Sequence, residues 1–533
     1  MSSPPSALAL VAMLTASRRI VRRRGHLMLA SAVVLGAACV STRVAVQPVN
    51  TSTAAVDVRT PVKAHMRSGE TIVYARGVRV SGDTLRGAGE RFGLDLTSRG
   101  TVHLVALDSV VGMESYSTVV NQATSLLLTV GGIAVAAAIT AGAAVALFGS
   151  CPTVYSDSAG VERLEAETFS YSIAPLFEVR DVDRLRVVAD ADGIVRLEVR
   201  NEALETHFLN HLELLEIRHG QGETVLPTAN GSPLAITGSV PVARITDRVG
   251  RELRSTLAGA DDIVFATDDG TLRRASAADM DDWIDITLPR PAGVDSVAVS
   301  LRMRNSLLNT VLFYDMMLGA PGARSLDWLG DDMARVGSVT SLARWYVSRM
   351  GLRVSVRDRG HYRVVDHIPD AGPIAWRDVA TVVPVPDDDS LRIRLSFVAD
   401  GWRLDRVRVA DRLRRPSQRS LPLHDVAGAT GASDSSALAS MWGADERYLQ
   451  TTPGQRFTAR FLAGPIAGDS ARTFLLASQG YYTEWVRGSW IRSARDTSTF
   501  VPSDDALLRA VAQWRREKVT LEQTFYSTRI PTP

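Results

Sequence analysis

A chain of 533 residues has room for about three or four domains with several buried cores, which excludes a small scaffold held by disulfides. Apolar residues at 45%, charged residues at 22% and a mean hydropathy of +0.03 are those of folded protein, excluding wholesale disorder and a polytopic membrane protein. Sixty basic residues stand against 58 acidic ones, a net charge of +2, with no basic block in the interior, so no nucleic-acid partner is expected.

The first element in chain order is a targeting segment. From Ser17 the sequence reads SRRIVRRRGH and then LMLASAVVLGAAC, a basic stretch followed by an apolar run of about a dozen residues, too short to span a bilayer and ending in small residues before Cys39. This pattern predicts export, with residues 1–39 as a signal peptide of lipoprotein type and Cys39 as the lipidated residue. Gly36 stands where an aliphatic residue is usual, so cleavage by ordinary signal peptidase near Ala37 and Ala38 is the competing reading. Only one other cysteine exists, Cys151; acylation of Cys39 rules out an intramolecular disulfide, and the alternative is a Cys39–Cys151 bridge.

Residues 40–120 follow as a small β-module. Thr71 to Gly87 reads as two short strands about a glycine turn and Thr101 to Ser115 as another strand, together a small barrel or roll. No charged residue occurs between Glu114 and Asp157, and Thr124 to Phe148 is almost pure Ala, Val, Leu, Ile and Gly. As a helix this run covers about 37 Å, enough for a bilayer core. Residues 121–150 are therefore expected to hold a hydrophobic helix and to partner the membrane, either spanning it, lying on it or buried in protein.

Beyond this point strands dominate, in a β-rich region at 151–425. Val297, Val299, Leu301 and Met303 alternate with polar or small residues, as do Leu391, Ile393, Leu395 and Phe397, the period of half-buried antiparallel strands. Leu352 to Val365, with Asp358-Arg359-Gly360 at its centre, predicts a hairpin. Helices are expected around Ser338 to Met350 and from Ser503 through Trp514. Residues 426–440 are small and polar and read as a linker, leaving 441–533 as C-terminal strands plus a helix. The fold class is thus mainly β: a small barrel or roll, one hydrophobic helix, then β-sandwich-like antiparallel sheets with few helices.

The segment Ser150-Cys151-Pro152-Thr153-Val154-Tyr155, the stretch Asn201-Glu202-Ala203-Leu204-Glu205-Thr206 and the strand Gly480-Tyr481-Tyr482-Thr483-Glu484-Trp485 resemble the S-C-P-x-V-Y start, the N-E-x-x-E-T strand and the G-Y-Y-x-E-W closing strand of uncharacterised bacterial envelope lipoprotein-like proteins. The resemblance covers most of residues 150–495. It implies a β-rich fold and a membrane-anchored, mostly extracytoplasmic place in the cell envelope, and brings no activity or ligand.

Chemical constellations are sparse. His207, His211 and His219 would offer a zinc pair on a helix, but on a strand the first two stand about 13 Å apart, too far to share an ion. Asn201, Glu202, Glu205 and Thr206 read as a turn or buried polar network. The Asp-rich spots Asp190 to Gly193, Asp268 to Gly270 and Asp387 to Asp389 read as hairpin turns. Cys151 reads as a buried structural residue. Tyr481, Tyr482, Trp485 and Trp490 are a candidate ligand platform, with core packing as the competing reading and the expected state of Trp485. No catalytic, metal or cofactor residue is assigned, and no cofactor is implied. The functional expectation is a non-enzymatic binding or assembly surface attached to the envelope membrane, with envelope proteins or glycans as partners; the alternatives are a carbohydrate-binding β-sandwich and an envelope-polymer hydrolase.

Overall fold

The computed structural model describes residues 55–116 and 151–532, apart from 159, 466–470, 496–497 and 526–528. Cys39 and the apolar stretch 124–148 lie outside the described residues. The chain is mainly β, with antiparallel sheets throughout and few helices. Period-2 alternation is the cause: along Ser390–Val398 the residues Leu391, Ile393, Leu395 and Phe397 are all buried, and along Ser296–Asn305 so are Val297, Val299, Leu301 and Met303.

Three main bodies of sheet result, in addition to a small three-stranded sheet of Thr224–Pro227, Pro233–Thr237 and Arg412–Arg414, all within one compact unit. The N-terminal strands form a barrel-like sheet of eight strands. Here the strand Thr84–Phe92 lies between Thr71–Tyr74 and Val78–Ser81, which do not pair with each other as a two-strand hairpin would, and the expected single strand at 101–115 is two, Ser98–Ala106 and Val110–Ser115. The eighth strand comes from far away: Val486–Arg487 pairs with Val110–Ser115.

The second body is a nine-stranded sheet that interleaves segments from 151–425 with segments beyond 440. Its longest pairing joins Glu205–His219 to Ala471–Glu484. Asp425 and its neighbours continue a strand, Arg419–Ala427, and the stretch read as a linker then carries the short helix Ser435–Ser440, capped by the Asp434 carboxylate. The third body is a sandwich of a five-stranded and a three-stranded sheet around a core that includes Ile393, Leu395, Val299 and Trp402. Its hairpin turns at Arg359 and Gly360, both with positive φ (47° and 89°), the geometry that matches strand twist in two-residue turns.

The helices share one hydrophobic core with the barrel-like sheet. Asp504–Phe525 buries Leu507, Ala510, Val511 and Trp514 at helical spacing, and the Ser503 hydroxyl caps it by accepting from the Ala506 amide at 3.2 Å. Val336–Arg349 forms close to the expected limits. A wide helical segment, Val311–Gly319, was not expected; its end is marked by the Ala320 amide donating five residues back to the Asp315 carbonyl. Asp268 caps the helix Asp269–Arg274 by accepting from the Thr271 amide, so that Asp-rich spot is a helix start where a hairpin turn was expected. Among the described residues no helix is long and apolar enough to cross a membrane.

Candidate functional site

The strands Glu205–His219 and Ala471–Glu484 position the site. Their register sets Glu205 opposite Glu484 and His207 opposite Tyr482, and alternation sends these four side chains to one face while Thr206, Phe208, Tyr481 and Thr483 take the other. Glu205, His207 and Glu484 are fully buried. The two carboxyl groups act on each other as well as being cut off from water, an environment that favours the protonated form. Tyr314, on the wide helical segment, donates its hydroxyl to Glu484 Oε2 at 3.0 Å, and Arg487 Nη2 donates to Oε1 at 3.0 Å. The His207 Nε2 atom lies 2.7 Å from Glu205 Oε1.

Burial dominates the electrostatics. It pushes Glu205 up to about 8, with the Glu167 charge adding to the rise, and drives Glu484 well above the usual carboxylate range against the pull of Arg487. It lowers His207 to about 3, so the imidazole is neutral. Burial, then Glu205 and Glu167, raises the Cys151 thiol far from its ordinary value; a thiol held protonated is a poor nucleophile.

This face is the polar end of a cavity of about 350 Å³, within the size range of small-molecule sites. Cys151, Glu167, Glu205 and Tyr482 line that end. Leu312, Phe313 and Met317 of the wide helical segment and Leu342, Val347 and Met350 at the helix Val336–Arg349 form apolar walls. The Glu167 carboxylate is fixed by the amides of Ile374 and Ala375, at 2.8 and 3.2 Å. Gly372 permits this: its φ is +81°, and a Cβ there would sit 2.4 Å from the Glu167 carboxyl carbon. On the other side of the Gly372 backbone Asn305 donates to Asp370 at 2.7 Å and accepts from the amides of Ala371 and Gly372. Among the described residues nothing donates to two buried acceptors in the lining, Glu205 Oε2 and Asn309 Oδ1.

The four aromatics singled out in the sequence do not form a surface platform. Trp485 is completely buried, stacks on His65 with ring centroids 3.7 Å apart and donates to the Thr206 hydroxyl at 3.0 Å. Tyr481 is buried and stacks on Phe208 at 4.5 Å. Tyr482 is on the opposite face and lines the cavity, while Trp490 packs beside the Arg487 guanidinium on the helix Gly488–Arg492. Strand alternation turns Tyr482 away from Tyr481 and Trp485, and Trp490 lies beyond the strand on a helix. The histidines stay apart along their strand: His207 meets Glu205 and His219 meets the Thr473 hydroxyl at 2.9 Å. Among the described residues no group of three His, Cys, Asp or Glu side chains converges on a metal position. Asn201 holds the carbonyls of Glu205 and Thr451, and Glu202 accepts from Thr153 and Tyr155, the buried network their pattern suggested. Glu484 goes unread as the partner of Glu205 because only strand register sets them opposite each other, and Tyr314 and Arg487, which bind Glu484, come from outside that pairing.

No family model matches this chain, and no curated protein matches it. Among solved structures, a GH31 alpha-xylosidase from Xanthomonas citri aligns over 80% of this chain and 38% of its own length, at 8% identity and a TM-score of 0.14. A secreted serine protease, VesC, from Vibrio cholerae aligns over 68% of this chain and 99% of its own, at 8% identity and a TM-score of 0.12. The chain thus spans well under half the xylosidase's length. Likeness this slight carries no argument about fold or activity, and what the chain does has to be argued from its own cavity.

Proposed function

We propose that this chain is a non-enzymatic, membrane-attached binding protein of the bacterial cell envelope, and that the cavity between Glu205 and the helix Val336–Arg349 holds a small amphiphilic molecule. The observation that carries this reading is the division of the cavity: long apolar walls from Leu312 to Met350, and an acid-rich end where Glu205 Oε2 and Asn309 Oδ1 have no donor among the described residues. An apolar body would fill the first, and a head group bearing hydroxyl or ammonium donors would satisfy the second. Envelope attachment rests on the basic and apolar segment that ends at Cys39.

A hydrolase reading fits less well. Paired carboxyls that cleave glycosides flank the sugar with room for water, whereas Glu484 is completely buried, is bound by Tyr314 and Arg487 and does not line the cavity.

The test is displacement of a fluorescent alkylamine from the detergent-solubilised full chain. Saturable binding that is lost when Leu342→Trp fills the apolar wall supports the proposal. Binding unaffected by Leu342→Trp, or glycan hydrolysis abolished by Glu205→Gln, would overturn it.

A further inference from the structure

A second polar cluster lies on the three-stranded sheet of the sandwich and shares no residue with the cavity. Strand register places Arg302 directly between Asp378 on one neighbour and Arg406 on the other. Arg302 Nη1 donates to Asp378 Oδ2 at 3.1 Å and Arg406 Nη2 to Oδ1 at 3.0 Å, so both carboxylate oxygens are engaged. Arg302 Nε is taken by Asp405 at 2.9 Å.

Two further arginines arrive from the nine-stranded sheet. Arg184 Nη1 and Arg186 Nη2 stand 3.8 and 3.9 Å from Asp378 Oδ2, too far for hydrogen bonds. The Nε atoms of Arg184 and Arg406 are buried without an acceptor among the described residues. Arg163 and Arg408 add their charges to Arg186 and Arg406, and Glu165 is the one further carboxylate acting on Arg186. Four guanidiniums, those of Arg184, Arg186, Arg302 and Arg406, therefore crowd the single Asp378 carboxylate within 3.9 Å, more positive charge than it answers. Solvent reaches the cluster, since the side chains of Arg184 and Arg186 are 26% and 40% exposed.

Confining like charges this way is costly unless something anionic answers them. We infer that Arg184, Arg186 and Arg406 form a binding site for a doubly charged oxyanion, a phosphate or the phosphoryl group of an envelope component. A dianion offers several acceptor oxygens to the unused guanidinium donors and offsets most of the excess charge, which a single carboxylate does not. Burial and the neighbouring arginines depress Arg186 and Arg406, the direction a bound anion would reverse.

The test is calorimetric titration of the full chain in detergent with inorganic phosphate, and separately with glycerol 3-phosphate, against sodium chloride of equal ionic strength. One phosphate-specific site is expected, weakened at least about tenfold in Arg184→Gln/Arg186→Gln, as for loss of one or more charge-assisted hydrogen bonds. Tighter binding of glycerol 3-phosphate would identify an esterified phosphoryl group as the ligand, and equal binding would identify free phosphate. Arg186→Gln alone, at the most exposed of the four arginines around Asp378, carries the test if the double variant does not fold. No binding beyond that of chloride, or binding unchanged in both variants, would overturn the inference.

Discussion

Trp485→Ala probes the junction between the barrel-like sheet and the nine-stranded sheet. The indole is completely buried. It stacks flat on His65, whose Nε2 atom lies 3.2 Å from Glu114, and it donates to Thr206. Burying an aromatic side chain of roughly 250 Å² at about 25 cal/mol per Å² sets an upper bound near 6 kcal/mol. Tryptophan-to-alanine changes in well-packed cores cost about 3 to 5 kcal/mol, and the indole lies so close to Gly112 that a Cβ there would come within 3.2 Å of its ring. Trp485→Ala is therefore expected to lose about 3 to 5 kcal/mol, measured as the shift in urea midpoint by circular dichroism on the full chain. Trp485→Phe keeps the stack and loses only volume and the bond to Thr206, so it should cost about 1 to 2 kcal/mol. A midpoint unchanged in Trp485→Ala, or a phenylalanine variant less stable than the alanine one, would refute the reasoning.

The same contact makes Gly112→Ala destabilising by about 1 to 3 kcal/mol, because a Cβ there would lie 2.7 Å from the Trp485 Cβ; a wild-type melting temperature would contradict this. Glu205 keeps its proton in the folded chain up to about pH 8, whereas the unfolded carboxyl releases it near 4.5. Stability should fall as pH rises through that window, by up to about 1.4 kcal/mol per pH unit for this group, and denaturation of Glu205→Gln from pH 5 to 8 should show the shallower slope. Glu114 behaves in the opposite sense: despite burial, Lys63 and His65 hold it down to about 2, so its contribution is present above about pH 4.5 and is lost as pH falls towards 2, and Glu114→Gln should flatten the acid limb of the same curves. Cys39→Ala is expected to abolish labelling of the chain by a clickable palmitate analogue fed to cells; labelling at the wild-type level would reject lipidation at Cys39.

Much of the fold is written in local pattern. The strands carrying Leu391 to Phe397 and Val297 to Met303, the Arg359-Gly360 turn and the helix after Ser503 each need only neighbours in sequence to declare themselves. Val311–Gly319 does not, because its run of apolar residues has no period that separates a wide helix from a buried strand. The candidate site is legible only in halves. Glu205 stands out as a polar residue in an apolar strand, but Glu484 hides among Tyr481, Tyr482 and Trp485, whose aromatic character draws attention to the wrong property. What unites the two carboxyls is a register between strands more than 250 residues apart, which no local pattern encodes. The arginines around Asp378 are obscured for a related reason: in a chain that uses arginine for nearly all its basic charge, no single one is conspicuous.

The pairing of Val486–Arg487 with Val110–Ser115 sets a schedule for the growing chain. At 5 to 20 residues per second, roughly 20 to 75 seconds separate the synthesis of these partners. Throughout that interval the last strand of the N-terminal sheet presents an open row of amides and carbonyls, a template for pairing with any other extended chain. A nascent molecule halted before residue 486 is therefore adhesive in a way the finished one is not, and this favours a chaperone that shields the edge until the distant strand arrives.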